Sequence, residues 1–343
     1  MGGGNAPTGR LSRIIAYFRR HPVLLLLAFT PGIPEYLSGS SAVWLIVVNP
    51  GVFFLFLGLN LGLYGPGVLL VREAHVRWNK GWSTVLLLGA AYGLLEEGTA
   101  LSTLFNPKAS VVSSLGSYGH AYGVSWVWLI GVLGIHMVYS VGIPILLLGL
   151  ALPQTRGQPF LTGRRLATAL GIYAFDIVLL AYIEHYRAGL GLILLAAVVA
   201  GLLWLVAWRL PAGLFEPTAA RPSRSPALFF VAGVAYFPIL LVAPGIGEDL
   251  HWPALVSGIL DLVLVVLLFL GIRRGIGRSG NGAQLTALAI GTLVPIVVFG
   301  AFAQLFLPVV LILDAVVVWF FLTLWRHYRP AAPPVPVPAV VTV

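Results

Sequence analysis

Long apolar runs alternate with short polar interruptions along almost the whole chain, and most of the runs match the length of a bilayer. A spanning helix needs roughly 20 mostly apolar residues. That ruler predicts ten segments, at 22–40, 49–71, 82–105, 124–152, 166–185, 188–209, 227–246, 252–272, 283–305 and 308–325. The expected fold class is therefore all-α: a polytopic integral membrane bundle of about ten transmembrane helices. The first segment is the least regular, because Pro31, Gly32 and Pro34 interrupt it and should end its helix before the outer surface. Asn106-Pro107 predicts a stop after the third. The Gly-, Ser- and Tyr-rich stretch that follows reads as a surface loop, with Tyr118, Tyr122, Trp126 and Trp128 as interfacial anchors.

The polar interruptions carry an orientation. Arg10, Arg13, Arg19 and Arg20 precede the first segment, Arg72, Arg77 and Lys80 follow the second, and the basic residues of every second loop thereafter fall on the same side. Of twenty Lys and Arg residues, only Lys108 and Arg187 fall opposite. By the positive-inside rule both termini are expected in the cytoplasm of a multi-pass protein of the prokaryotic cytoplasmic (plasma) membrane. The implied organisation is a basic N-terminus (1–21), a six-span region (22–210), a cytoplasmic loop (211–226), a four-span region (227–326) and a Pro-rich cytoplasmic tail (327–343).

Composition agrees and narrows the function classes. Hydrophobic residues make up 59% and charged residues only 9%, with a mean hydropathy of +0.97, which excludes a water-soluble enzyme. The formal charge of +9 is accounted for by the loops and gives no reason to expect nucleic acid. The absence of cysteine excludes disulfides, thiolate nucleophiles and Cys-ligated metals.

The candidate chemistry lies in polar residues that hydrocarbon should not tolerate. Glu96 and Glu97 fall in the third segment, His136 in the fourth, Asp176 in the fifth, Asp261 in the eighth and Asp314 in the tenth, with Glu35 at the broken end of the first. Of the eleven acids, only Glu73 and Glu216 are expected in cytoplasmic loops. A charged side chain at mid-bilayer costs about 2.5–3.5 kcal/mol even on lenient scales, so such residues face a bundle interior or a wet cavity.

Helical rise places the glutamate pair roughly 12–14 Å, and His136 roughly 18 Å, below the outer edge. Sequential antiparallel helices would bring them within about one turn. Adjacent helical positions point about 100° apart, so one glutamate is expected to face His136 and the other a neighbouring helix through Tyr92, Ser125 or Tyr139. Two buried neighbouring carboxylates favour a shared proton, and a shared-proton diacid is a usable general acid/base. The arrangement is expected to open into a solvated pocket on the outer side. The plainer reading is that the same groups are hydrogen-bonded packing contacts between helices.

A Glu-Glu pair inside one span with a His in the next resembles the membrane-embedded glutamate proteases, the CAAX-processing and bacteriocin-processing endopeptidases. The likeness rests on Glu96, Glu97 and His136. Leu101 and Val132 stand where that pattern has Arg and Phe, and its second histidine has no counterpart. The resemblance implies a helical bundle whose diglutamate activates water. The stretch Gly93-Leu94-Leu95-Glu96-Glu97-Gly98, with Leu104-Phe105-Asn106-Pro107 behind it, is also similar to uncharacterised polytopic membrane proteins.

Three functions remain open. The first is a glutamate-dependent intramembrane hydrolase of peptides or lipids, with Glu96, Glu97 and His136 catalytic. The second is a proton- or cation-coupled transporter whose binding or proton path uses Glu96, Glu97, Asp176, Asp261 and Asp314, with Glu35 at the broken first span. The third is a non-catalytic assembly protein. No cofactor or metal is expected: Glu184-His185 and Glu248-Asp249-x-His251 lack the spacing of a recognised zinc motif. The expected partners are the lipid bilayer and a membrane-embedded or outer-side substrate, with no nucleic acid and an open oligomeric state.

Overall fold

Each of the ten apolar segments forms a helix in the computed structural model, which describes residues 16–214, 224–277 and 281–328. In chain order they are α1 (Pro22–Pro31), α2 (Pro50–Arg77), α3 (Trp82–Gly93), α4 (Trp126–Ala151), α5 (Arg164–Ile183), α6 (Leu190–Arg209), α7 (Pro226–Asp249), α8 (Ala254–Gly275), α9 (Gly282–Ala303) and α10 (Pro308–Tyr328). Among the described residues, eight are long and apolar enough to cross a membrane. The exceptions are α1, which is short, and α3, which ends at Gly93 just before the turn that carries the glutamate pair. The basic N-terminal residues up to Ile15, most of the loop at 215–223 and the Pro-rich tail lie outside the described residues.

Local sequence explains several helix ends. Asn49 caps α2 by accepting a hydrogen bond from the Val52 amide at 3.2 Å, with Pro50 at the first helical position where its missing N–H costs nothing. α2 runs to Arg77, beyond the expected end at 71, so Glu73 belongs to a helix rather than a loop and is only 1% exposed. The prolines at 31 and 34 do not end the first helix. They convert it to a π-helical turn over Gly32–Leu37, in which a wider hydrogen-bond ring absorbs the missing donors. α3 continues in the same way as a π-helical turn over Leu94–Ala100 and stops short of Asn106-Pro107. The stop comes from Ser102, whose φ of 55° is left-handed and reverses the chain.

α4 occupies the centre, packed against α1, α2, α3, α7, α8 and α9. Its most apolar stretch is 67% buried, against 17% for α6 and α10, which expose Leu, Val and Trp as a lipid-facing surface should. α7 and α9 are in closer contact, since Gly233 and Gly291 leave no space for a Cβ between the two backbones.

The basic loops meet at one end of the bundle. Glu73 accepts hydrogen bonds from Arg77 Nε (3.1 Å) and the Phe160 amide (2.6 Å), while Arg72 stacks on the Phe160 ring and donates to the Thr155 and Gln158 carbonyls. Lys80 reaches the Leu210 carbonyl, and Tyr328 the Leu150 carbonyl. At the opposite end, Tyr186 donates to the Phe105 carbonyl, Tyr118 to that of Trp252, and Gln304 ties α9 to the Val43 amide and the Tyr36 carbonyl. The stretch after α3 includes a 3-10 turn (Ser110–Gly116) and a short hairpin, His120–Ala121 with Val124–Ser125.

Candidate functional site: a buried Glu-Glu-His group

α3 and the middle of α4 approach closely because Gly93 faces the His136 side chain. A Cβ at position 93 would lie 2.9 Å from that of His136. At that contact both helices change from α to π geometry: Leu94–Ala100 carries Glu96 and Glu97, and His136–Gly142 begins with the histidine. Such π-turns widen the helix and re-aim side chains, and they concentrate at functional sites.

The wider turn overturns the expectation that only one glutamate would reach the imidazole. His136 Nε2 lies 3.1 Å from Glu97 Oε1, and Nδ1 lies 3.4 Å from Glu96 Oε2 and 3.0 Å from Ser140 Oγ. The ring thus bridges both carboxylates. Glu97 is held from behind by the Thr103 hydroxyl, which donates to Oε2, and Thr103 accepts from Trp128 Nε1 at 3.3 Å. The left-handed Ser102 is what turns Thr103 back onto Glu97. Trp128 is therefore a supporting residue, 8% exposed, and not an interfacial anchor, whereas Tyr122 is almost fully exposed.

Glu96 faces aromatic groups. Tyr64 and Tyr92 lie beside its carboxylate, and Tyr92 stacks on Tyr173 and contacts the His136 ring, 5.6 Å between centroids. Glu96 Oε2 makes no hydrogen bond. The three residues are enclosed, with exposures of 1% (Glu96), 8% (Glu97) and 3% (His136), rather than lining an outward-opening pocket. A cavity of about 540 Å³ lies on another side of α4, between Val138, Tyr236, Phe269 and Leu288. Of the other residues expected near the pair, Ser125 is engaged by His120 and the Gly116 carbonyl, and Tyr139 packs on Tyr236.

The remaining acids separate into two kinds. Glu35, in the π-turn after α1, accepts hydrogen bonds from Tyr64 and Ser41, each at 2.7 Å, and Asn60 donates to Ser41 at 3.0 Å. Tyr64 therefore joins Glu35 to the glutamate pair. Asp176, Asp261 and Asp314 are not joined to it by any hydrogen bond or ion pair among the described residues. Asp176 lies against Gly62, on the face of α2 turned away from Asn60 and Tyr64. Asp261 is 1% exposed with neither oxygen hydrogen-bonded, and Asp314 is only half-buried on α10.

Gly93, Thr103, Trp128, Ser140 and Tyr64 escaped the sequence reading as site residues. Only Ser140 left a local trace, four residues after His136 on the same helical face. The others depend on the π-turns, the left-handed Ser102 and the packing of α2 on α3.

The group chemically combines a general base, a proton donor or acceptor in the imidazole, and three atoms able to ligate a cation, one from each residue, all within 4.8 Å of one another. No curated protein and no solved structure matches the chain. The resemblance to the glutamate proteases finds no support in the comparisons. Residues 24–236, well over half the chain, match the model of an uncharacterized membrane protein family, and this multi-pass helical membrane protein belongs to that family.

Proposed function

We propose that the protein is a hydrolase of the cytoplasmic membrane, oriented with its basic loops in the cytosol, that uses the Glu96–Glu97–His136 group on a peptide or lipid ester bond at membrane depth. One observation carries the reading: the His136 ring lies between both carboxylates, 3.1 Å from Glu97 and 3.4 Å from Glu96, inside an otherwise apolar bundle. Glu97, tied by Thr103 and His136, orients the ring. Glu96, whose Oε2 is free of hydrogen bonds, takes a proton from water as the water oxygen bonds to the substrate carbonyl carbon. With Nε2–H held by Glu97, the Nδ1–H of a protonated His136 turns from Ser140 to the developing oxyanion, and the proton held by Glu96 passes to the leaving group as its bond breaks.

The test uses full-length protein in lipid nanodiscs with membrane peptides and glycerophospholipids, products being read by mass spectrometry. Turnover is expected and should fall about 10²–10⁴-fold in Glu96→Gln. No turnover across the panel, or turnover surviving Glu96→Gln together with Glu97→Gln, removes the proposal.

A second reading, proton-coupled transport, is favoured by the chain Glu96–Tyr64–Glu35–Ser41–Asn60. It requires pH-gradient-driven solute uptake in proteoliposomes that Glu35→Gln abolishes. Uptake indifferent to that change discards it.

A further inference from the structure

We propose that Glu96, Glu97 and His136 form a binding site for one divalent first-row transition cation, of the zinc or manganese type. The site goes beyond the hydrolase reading and stands whether or not the protein hydrolyses anything.

The donor set is the first argument. Two carboxylates and an imidazole suit zinc, manganese or iron(II), and one ligand atom from each residue lies within 4.8 Å of the other two. Metal–ligand bonds of about 2.0–2.2 Å put neighbouring ligand atoms about 3.3 Å apart in a tetrahedron. The Glu97 Oε1–His136 Nε2 separation of 3.1 Å is already such an edge.

The surroundings are the second. A metal-bound imidazole is held by a hydrogen bond on its other nitrogen, and a metal-bound carboxylate by one on its other oxygen. Here Ser140 Oγ sits 3.0 Å from His136 Nδ1, and Thr103, itself held by Trp128, donates to Glu97 Oε2. Glu96 Oε2 is buried, faces the ring and makes no hydrogen bond, so a ligand lone pair stands ready.

Charge is the third. Among the described residues no Lys or Arg forms an ion pair with either glutamate. Two carboxylates with a neutral imidazole carry a charge of −2 in an apolar bundle, and one divalent cation neutralises it. Three protein ligands leave a fourth position open to water, the pattern of catalytic rather than structural zinc.

The experiment takes full-length protein in detergent, stripped with a chelator and dialysed, and titrates it with Co²⁺ followed by visible absorption, then with competing Zn²⁺. Elemental analysis supplies the stoichiometry. One equivalent is expected, with the intense d–d bands of a four- or five-coordinate site. Affinity should fall at least about 100-fold in Glu97→Gln and His136→Asn, and about 10–100-fold in Ser140→Ala, which removes only an outer hydrogen bond and leaves the packing intact. Glu248→Gln, beside the exposed His251, should change nothing. Folded wild-type protein taking up less than about a tenth of an equivalent, or Co²⁺ binding equal in all the variants, overturns the site. Metal-loaded protein without turnover retires the hydrolase and leaves the cation site standing. Turnover abolished by Glu96→Gln in protein that takes up no metal does the reverse.

Discussion

Two places in this bundle bury an acid to the same 1% exposure, Glu96 on α3 and Asp261 on α8, yet they are built differently. Around Glu96 the fold assembles a second carboxylate, an imidazole on the adjacent helix, and hydroxyls that hold those partners in place. Around Asp261 it assembles nothing comparable. Tyr236 lies near it, but its hydroxyl already donates to the Gly134 carbonyl at 2.8 Å, and neither Asp261 oxygen is hydrogen-bonded. An acid at membrane depth is costly in both places. Convergence of partners, rather than burial, separates a chemical centre from an isolated polar residue.

That contrast is open to mutational attack. The largest effect is expected from His136→Ala, which leaves two buried carboxylates without the imidazole that lies between them. Removing one partner of a buried ion pair costs about 3–5 kcal/mol, and unfolding of the variant in detergent micelles measures it. A loss below about 1 kcal/mol would mean that the three side chains do not act as a unit.

An intermediate effect is expected from Gly93→Ala. Its Cβ would press on the His136 Cβ at 2.9 Å, and overpacking of this kind costs about 1–3 kcal/mol. Because the clash falls on the α3–α4 contact, coupling between Glu97→Gln and His136→Ala should shrink in the Gly93→Ala background. A double-mutant cycle repeated with and without the glycine change reads that shrinkage, and undiminished coupling would show that the close approach is not what sets the geometry.

The smallest effect is reserved for Asp261→Asn, a nearly isosteric change with no hydrogen bond to lose. Stability should move by less than about 1 kcal/mol. If instead it cost more than His136→Ala, the comparison would invert and α8 would become the place to look for function.

The two sites were also unequally legible. Both acids stand out in the sequence as charges inside apolar runs, and the position of His136 in the following run was enough to expect it near the glutamates, since consecutive antiparallel helices are neighbours. The expectation that only one glutamate reaches the ring failed because it assumed α-helical spacing, whereas the chain is π-helical at Leu94–Ala100 and His136–Gly142. Glu73 was misassigned to a loop because the positive charges around it mark a membrane boundary without marking a helix end. Trp128 was misread because aromatic residues near an outer loop serve equally as lipid anchors and as hydrogen-bond donors to the interior, and only packing tells them apart.

From residue order alone came the all-helical membrane architecture, the alternation that gathers basic loops at one end, and the short list of acids worth attention. Those follow from solvation: hydrocarbon admits long apolar helices and little else, and it makes every buried charge conspicuous. Which charges meet was decided by the tertiary structure. Convergence of Glu96, Glu97 and His136 with Thr103, Ser140 and Tyr64 depends on widened helical turns, one left-handed serine and a glycine that lets two helices touch. These are properties of backbone geometry and of neighbours distant in the chain, and hydrophobic periodicity carries no record of them.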